Sequence, residues 1–277
     1  MVVVKKPVLI IFVCILFIFG CMKKPNMVSV GPVLPEIDFE LDMVLVQSGS
    51  FTMGNSNGIY ELNELPLHNV TVSNFFISKF EITQEQYGQV KSYDSSFFKY
   101  DTYPVEQVTW YEAVSFCNKL SLIENLEPCY NLKTWDCNFN KNGYRLPTEA
   151  EWEFAARGGT QSEDYKYSGG DNLNDIAWYI LNSGEQPHVI GTKQPNELGL
   201  HDMTGNVWEW CWDRYDSEYY STSPENDPKG PVGPLVRVFR GGSWQNDVNK
   251  LRLSQRSFYK PDSKLLSLGF RVARSSL

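Results

Sequence analysis

The segment GYRLPTEAEWEFAARGG, residues 143–159, carries the strongest fold signal in the chain. Thr148 and Glu151 have the spacing of a capping box, in which the threonine hydroxyl accepts from the backbone amide of the third helical residue and the glutamate side chain reaches back. A proline precedes this box, and a pair of glycines from Gly158 onward gives the helix a stop signal. The segment therefore predicts a helix that begins after Thr148 and ends before Gly158.

The same start signal occurs twice upstream, at Thr83 and at Thr109, and each predicts a further helix. Short runs of β-forming residues at 43–54 and 70–77, and again at 236–239, predict strands. After residue 160 the frequent Gly, Pro, Asn and Asp residues predict loops. The fold class is therefore α+β, with few helices on small sheets and much irregular loop.

The composition sets the class of protein. The chain has 277 residues, a formal net charge of −8, 42% hydrophobic residues and 14% aromatic residues. This length buries a large core, and so many aromatic residues exclude a disordered chain. The acidic balance argues against nucleic acid as a partner, because phosphate recognition needs an excess of Lys and Arg. Six cysteines are too few for a disulfide scaffold.

The N-terminus predicts export. In residues 1–20 the pair Lys5 and Lys6 precedes an apolar run that is short for a bilayer span, as in a signal peptide. The run ends in Gly-Cys, which resembles a bacterial lipobox with Cys21 as the lipidated residue. Residues 21–38 are rich in proline and predict a flexible tether. We expect an exported lipoprotein of the outer membrane or cell surface; the alternative is a plain membrane anchor with an incidental cysteine.

Three blocks within the predicted domain, residues 39–277, carry a family resemblance. They are the segment at 143–159, GLHDMTGNVWEW at 199–210, and RGGSW at 240–244 with the closing GFRVA at 269–273. In this order they resemble the formylglycine-generating enzyme family, also called sulfatase-modifying-factor domains. The resemblance implies one compact domain with a C-type-lectin-like fold, in which mostly irregular backbone surrounds a small sheet core.

The resemblance does not extend to the family's catalytic residues. The family's oxidase holds copper through two cysteines, and the corresponding positions here are Asn246 and Leu251, with no cysteine after Cys211. Neither side chain supplies the soft thiolate that copper(I) requires, so we expect no formylglycine oxidase activity. A second branch of the family uses iron ligands from an extra helical domain, for which this chain has no room. Its three histidines are widely spaced and are interpreted as hydrogen-bonded loop or core residues: His68, His188 and His201.

A carboxylate cluster in the predicted helix at 149–156 does not by itself indicate catalysis. Its members lie in the first turns of that helix, where capping and the helix dipole explain them: Glu149, Glu151 and Glu153.

The segment 245–268 resembles the variable region of one subset of the family, the variable proteins of diversity-generating retroelements, and in particular the treponeme-type variable lipoproteins. In that subset a fixed framework, here including Arg252, Ser254 and Arg256, alternates with positions that are randomised during reverse transcription. The resemblance assigns the following positions to ligand binding: Gln245, Asn246, Asp247, Gln255, Ser257, Phe258, Tyr259, Lys260, Ser263, Leu265, Leu266 and Ser267. Phe258 and Tyr259 would be the anchors, provided that they are exposed. The alternative is an ordinary loop of a degenerate family member.

Four tryptophans near this segment are interpreted as core residues that pack beneath the contact surface, rather than as a ligand platform: Trp208, Trp210, Trp212 and Trp244.

The remaining site predictions concern calcium and disulfides. Four positions resemble a structural calcium site of the family, through two side chains and two backbone carbonyls: Asp202, Gly205, Val207 and Glu209. The alternative is that the two carboxylates cap local turns. Cys129 and Cys137 are close in the chain and could form a disulfide in an exported protein. Cys117 and Cys211 are expected to be buried thiols.

These observations lead to three functional hypotheses. The first is a lipid-anchored surface protein that binds a protein or glycan ligand through residues 245–268, which a retroelement diversifies. The second is an enzyme of the sulfatase-modifying-factor family with an unrecognised site, and the third is an accessory protein of the cell envelope. Burial of Phe258 and Tyr259 would exclude the first.

Overall fold

A computed structural model describes residues 34–55, 58, 61–233 and 235–276. The predicted signal peptide, Cys21 and most of the predicted tether therefore lie outside the described residues. The described residues from Leu34 onward form one compact unit.

The described residues form ten strands in three small sheets, as the sequence predicts for an α+β domain. The strands are β1 (Met43–Val46), β2 (Gly49–Met53), β3 (His68–Val72), β4 (Phe75–Ser78), β5 (Tyr144–Arg145), β6 (Trp208–Arg214), β7 (Arg237–Arg240), β8 (Ser257–Tyr259), β9 (Leu268–Gly269) and β10 (Ala273–Ser275). One sheet has the order β1-β4-β10-β5, a second pairs β2 with β3, and the third has the order β8-β7-β6-β9. In the third sheet, β6 runs antiparallel to β7 and parallel to β9.

Four α-helices connect and cover these sheets in the described chain: α1 (Gln84–Lys91), α2 (Trp110–Ile123), α3 (Glu149–Ala156) and the one-turn α4 (Leu173–Ile176). Thr83, Thr109 and Thr148 each cap a helix with both hydrogen bonds of a capping box, so the three predicted helix starts are confirmed. The sequence analysis did not predict α4. Four 3-10 helices lie at Leu62–Glu64, Gly159–Gln161, Tyr219–Ser221 and Val248–Lys250.

The aromatic residues build the interior around β6. Trp110 of α2 donates from its indole nitrogen to the carbonyl of Cys211 at 2.9 Å, and Trp210 of β6 donates to Val108 at the same distance. Both side chains are fully buried, and these bonds satisfy their polar atoms. These bonds fix the third sheet to the N-terminus of α2. The edge strands of this sheet are β8 and β9.

Candidate ligand-display surface

β8 exposes two neighbouring aromatic side chains at the edge of the third sheet. Phe258 and Tyr259 are 45% and 48% exposed. The sequence analysis required both side chains to be exposed if they are to serve as anchors of a contact surface, and the structure meets this requirement. Consecutive residues of a strand point to opposite faces. On one face the Phe258 ring stacks on Tyr215 at 3.9 Å between centroids. On the other face Tyr259 lies opposite Arg237 of β7.

Ten of the twelve residues assigned to ligand binding reach the surface. Those that are exposed are Gln245, Asp247, Phe258, Tyr259, Lys260 and Leu266, and those that are partly exposed are Asn246, Ser257, Ser263 and Leu265. Val248, which the sequence analysis did not assign, is exposed among them. The ten assigned residues that reach the surface, without Val248, are called the display surface below.

The assignment of Gln255 and Ser267 to ligand contact was wrong, because both side chains are buried. The side-chain oxygen of Gln255 accepts from Arg252 at 2.7 Å, and its amide donates to the backbone carbonyl of Arg256 at 2.9 Å. Ser267 bonds the side chain of Gln245 at 2.7 Å. Both residues therefore belong to the scaffold beneath the display surface.

A tight glycine turn begins the display segment. Gly242 has φ 75°, in the left-handed region, and a Cβ there would lie 2.5 Å from the Leu251 side chain. Only glycine fits such a close approach without strain. Leu251 is consequently buried in a small apolar cluster. The Ser243 hydroxyl donates to the amide oxygen of Asn246 at 2.6 Å, so the two positions that hold copper in the resembling oxidase serve the local fold here.

Buried ion pairs fix the framework arginines. Arg256 donates to both carboxylate oxygens of Glu149 on α3, at 2.8 and 2.9 Å. Arg252 donates to Glu64 at 2.5 Å, and the same oxygen of Glu64 accepts from Ser254 at 2.6 Å. The two glutamates belong to helical segments that are far from these arginines in the sequence. The bidentate Arg256–Glu149 pair and the single Arg252–Glu64 bond thus anchor both ends of the segment 252–256 to buried carboxylates.

Arg240 of β7 connects this framework to α3. It donates to the carboxylate of Glu153. It also donates to the backbone carbonyls of Leu253, Ser254 and Gln255, at 3.0 Å in each case. Burial raises the pKa of Glu149, but the charges of Arg256 and Arg240 outweigh it and hold that pKa below its ordinary value. Glu149 is thus ionised and structural.

The other two glutamates of the helix are structural as well. Glu151 completes the capping box and binds Arg145 through two bonds of 2.6 and 2.7 Å. Glu153 binds Arg157 and Arg240. Capping was therefore only part of the reason for this cluster, since arginine partners account for all three carboxylates.

Three of the four tryptophans are core residues as predicted: Trp208, Trp210 and Trp244. Trp212 is only partly buried and lines a surface cavity beside Arg214 and Arg237. No spacing of residues along the chain predicts this cavity.

The three histidines lie in separate places, in agreement with their interpretation as structural residues. His188 stacks on Trp178 at 3.7 Å between centroids, His68 packs against Tyr220, and His201 bonds the carbonyl of Lys193 at 2.8 Å. Across the described residues, no group of three or more His, Cys, Asp or Glu side chains could hold a metal ion.

The residues suggested for calcium do not form a cation shell. Both carboxylate oxygens of Glu209 are occupied by the guanidinium of Arg271, at 2.7 Å each, and one of them also accepts from Trp152 at 2.7 Å. Asp202 accepts from the Gly191 amide at 2.7 Å, and burial raises the pKa of Asp202 to about 6. An arginine therefore supplies the positive charge beside Glu209. The four residues suggested for calcium, which also include Gly205 and Val207, do not fit a calcium ion.

The cysteines of the domain are free thiols in this structure. Cys117 and Cys211 are buried, as expected. Cys129 and Cys137 are neighbours on adjoining backbone segments, because Tyr130 and Cys137 form an antiparallel bridge. A hydrogen bond from Cys137 is the largest influence on the Cys129 thiol and lowers its pKa. The predicted disulfide is not formed here and remains a prediction.

Comparison with known proteins identifies the family to which this fold belongs. The model of the Sulfatase-modifying factor enzyme 1-like domain matches residues 36–276. The chain belongs to this family. This member of the sulfatase-modifying-factor family is 36% identical over 269 residues to Chaperone protein LppX of Paenibacillus barcinonensis, across 84% of this chain and 89% of that protein. The Formylglycine-generating enzyme of Streptomyces coelicolor is 41% identical over 151 residues, which cover 48% of either chain.

A solved structure agrees over a wider span. Treponema denticola variable protein 1 superposes with a TM-score of 0.77 at 35% identity, across 84% of this chain and 94% of that one. The expected formylglycine-generating-enzyme type of fold is therefore confirmed. In the described part of the chain, helices are too short or too polar to cross a bilayer.

Proposed function

We propose that the protein is a lipid-anchored surface protein that binds a ligand through the display surface and lacks formylglycine oxidase activity. One observation carries this proposal. Phe258 and Tyr259, two large aromatic residues, are about half exposed on a strand that directly follows a segment held by the buried ion pairs of Arg252 and Arg256. Large aromatic residues held rigidly at a surface are the usual anchors of recognition sites.

The arrangement separates residues that specify the fold from residues that contact solvent. Arg252, Ser254 and Gln255 point inward and make the hydrogen bonds, whereas the display surface makes few of them. Replacement of the exposed residues therefore changes the surface chemistry and leaves the core intact. The likeness to Treponema denticola variable protein 1, whose name describes a variable protein, supports diversification of the exposed residues by a retroelement.

Three parts of the proposal rest on sequence alone. The Gly-Cys pair that ends the apolar run supports lipidation at Cys21 and a location in the outer membrane or at the cell surface. The partner would be a protein or a glycan at that surface. The loss of oxidase activity is supported by Asn246 and Leu251 at the two copper positions.

The neighbouring DNA provides the test of diversification. We expect an adenine-rich near-copy of the codons for residues 237–272 beside a reverse-transcriptase gene, with mismatches at display-surface codons. If no such copy is found and the segment is invariant among isolates, diversification is excluded.

The similarity to formylglycine-generating enzymes supports a second candidate, an oxidase with a different site. Purified protein should neither bind copper(I) tightly nor convert a cysteine in a sulfatase-type peptide to formylglycine, which mass spectrometry detects. Turnover of the peptide would favour the enzyme over the binding protein.

A further inference from the structure

A cavity of about 540 Å³ lies beside the display surface and contains none of its residues. Three aromatic and three cationic side chains define it: Trp135, Phe139, Trp212, Arg214, Lys229 and Arg237. Asp136, Asn138 and Asn140 add polar groups. Aromatic walls with a few polar groups are typical of ligand sites.

The cations of this cavity are concentrated by the register of the third sheet. Arg214 of β6 lies directly opposite Arg237 of β7, and such cross-strand neighbours point to the same face. Like charges in this position repel each other. Burial and then the charge of Arg214 lower the pKa of Arg237 to about 10. The sheet register therefore places two guanidinium groups side by side at this cavity.

Within the described residues, neither Arg237 nor Lys229 forms an ion pair. The Arg237 guanidinium lies 3.7 Å from the centroid of Trp110 and donates to the Trp212 carbonyl at 2.5 Å. The Lys229 ammonium lies 4.5 Å from the centroid of Phe139. Aromatic faces hold both cations in place without neutralising them. Asp136, the carboxylate of the lining, is exposed.

The hydrogen-bonding groups of the lining point to a hydroxyl-rich ligand. The side chain of Asn140 offers a donor and an acceptor, and that of Asn138 offers its amide nitrogen as a donor, because its oxygen accepts from the Asn140 backbone amide at 3.0 Å; hydroxyl groups match both kinds of partner. Trp135 has φ 63°, an uncommon backbone conformation for a non-glycine residue that is found at ligand sites more often than elsewhere. Its ring contacts Tyr111 at 4.5 Å between centroids and forms one wall.

We propose that this cavity binds an acidic sugar, whose ring packs against Trp135 and Trp212 and whose carboxylate meets Arg237 and Lys229. Guanidinium groups match the planar carboxylate. Tyr259 lies opposite Arg237 in the same row of the sheet, so a longer acidic glycan would extend from the cavity onto the display surface. The site itself consists of residues outside the segment 245–268 and is independent of the proposed display function.

Calorimetric titration of the purified protein at low ionic strength tests the proposal, with glucuronate as the probe and glucose as its neutral match. We expect glucuronate to bind at least about 10-fold more tightly than glucose, and the difference to shrink with added salt. Equal affinities for the two sugars, or no binding of glucuronate, would overturn the proposal. Acetate or a short polyglutamate peptide binding as tightly as glucuronate would overturn the assignment to a sugar.

Variants locate the site. Lys229→Gln and Arg237→Gln should each weaken glucuronate binding about 10-fold, because each removes one charge-assisted contact. Lys166→Gln is the matched control, because Lys166 is an exposed lysine that also lies over an aromatic ring but is outside both the cavity and the display surface, so its removal should leave the affinity unchanged. Thermal unfolding verifies that Arg237→Gln is folded. If Arg237→Gln does not fold, the affinity of Lys229→Gln for glucuronate tests the site instead, because the Lys229 side chain lies over a ring at the cavity wall. Unchanged affinity in Lys229→Gln, or an equal loss in Lys166→Gln, contradicts the assignment.

Discussion

Replacement of Arg256 by glutamine is expected to destabilise the domain by about 3 kcal/mol. The change removes two charge-assisted bonds to Glu149 and one bond of 2.8 Å to the Asn63 carbonyl, together with the contact to Tyr220 at 4.1 Å. Loss of one partner of a buried ion pair costs about 3–5 kcal/mol, because the remaining charge is left without compensation. Arg240 stays 3.5 Å from Glu149, which places the expected cost at the lower end of this range.

Urea unfolding at pH 7, followed by circular dichroism, measures this cost. Tyr259→Ser, three residues along the chain, is the comparison and should change the free energy of unfolding by less than about 1 kcal/mol, because its side chain is half exposed. The folded-state pKa of Glu149 is lowered, so its ion pairs stabilise the protein above the unfolded pKa of about 4.3 and are lost as pH falls through the folded value. The difference between Arg256→Gln and the parent should therefore shrink in acid. A cost below about 1 kcal/mol at pH 7, or a larger cost for Tyr259→Ser, would refute the division into scaffold and display surface.

Three further predictions concern other buried groups. Burial raises the pKa of Glu106 to about 7, so the contribution of Glu106 to stability should fall as pH rises from about 4.3 through 7. Relative to the parent, Glu106→Gln should lack this fall and should raise the free energy of unfolding at pH 8 by about 1–2 kcal/mol in urea titrations. The same pH dependence in the variant and the parent would contradict the prediction. Millimolar calcium should leave Tm unchanged, because the Arg271 guanidinium binds both carboxylate oxygens of Glu209. A rise in Tm with calcium, measured by calorimetry, would contradict this and support the calcium site that the sequence suggested. Oxidised glutathione should form a disulfide between Cys129 and Cys137 and raise the free energy of unfolding by about 2 kcal/mol. Alkylation followed by mass spectrometry would detect the disulfide, and urea unfolding would measure the gain in stability. Recovery of both cysteines as alkylated thiols would exclude the disulfide.

Local signals predicted the parts of the fold that depend on neighbours in sequence. The capping boxes at Thr83, Thr109 and Thr148 fixed three helix starts, because both hydrogen bonds of each box join residues within one turn. The short strands at 43–54 and 70–77 were recognisable from their runs of β-forming residues, whereas their pairing, β1 with β4 and β2 with β3, was not predicted.

Partners that are distant in sequence escaped the prediction. Arg256 and Glu149 are 107 positions apart, and no spacing rule connects them. Gln255 and Ser267 were misassigned because irregular backbone has no period, so that inward and outward positions cannot be separated by counting. The acidic-sugar cavity combines Trp135, Trp212 and Lys229 from three separate segments, and sheet register alone brings Arg214 opposite Arg237.

The most direct test of the central claim is a paired ligand screen. The parent protein and the double variant Phe258→Ser/Tyr259→Ser, both verified as folded by circular dichroism, would be compared on arrays of surface proteins and glycans. We predict at least one ligand that the parent binds and the double variant loses at least about 10-fold, because the two anchors of the display surface are removed. Identical binding profiles for the two proteins would contradict the claim that this surface is the recognition site.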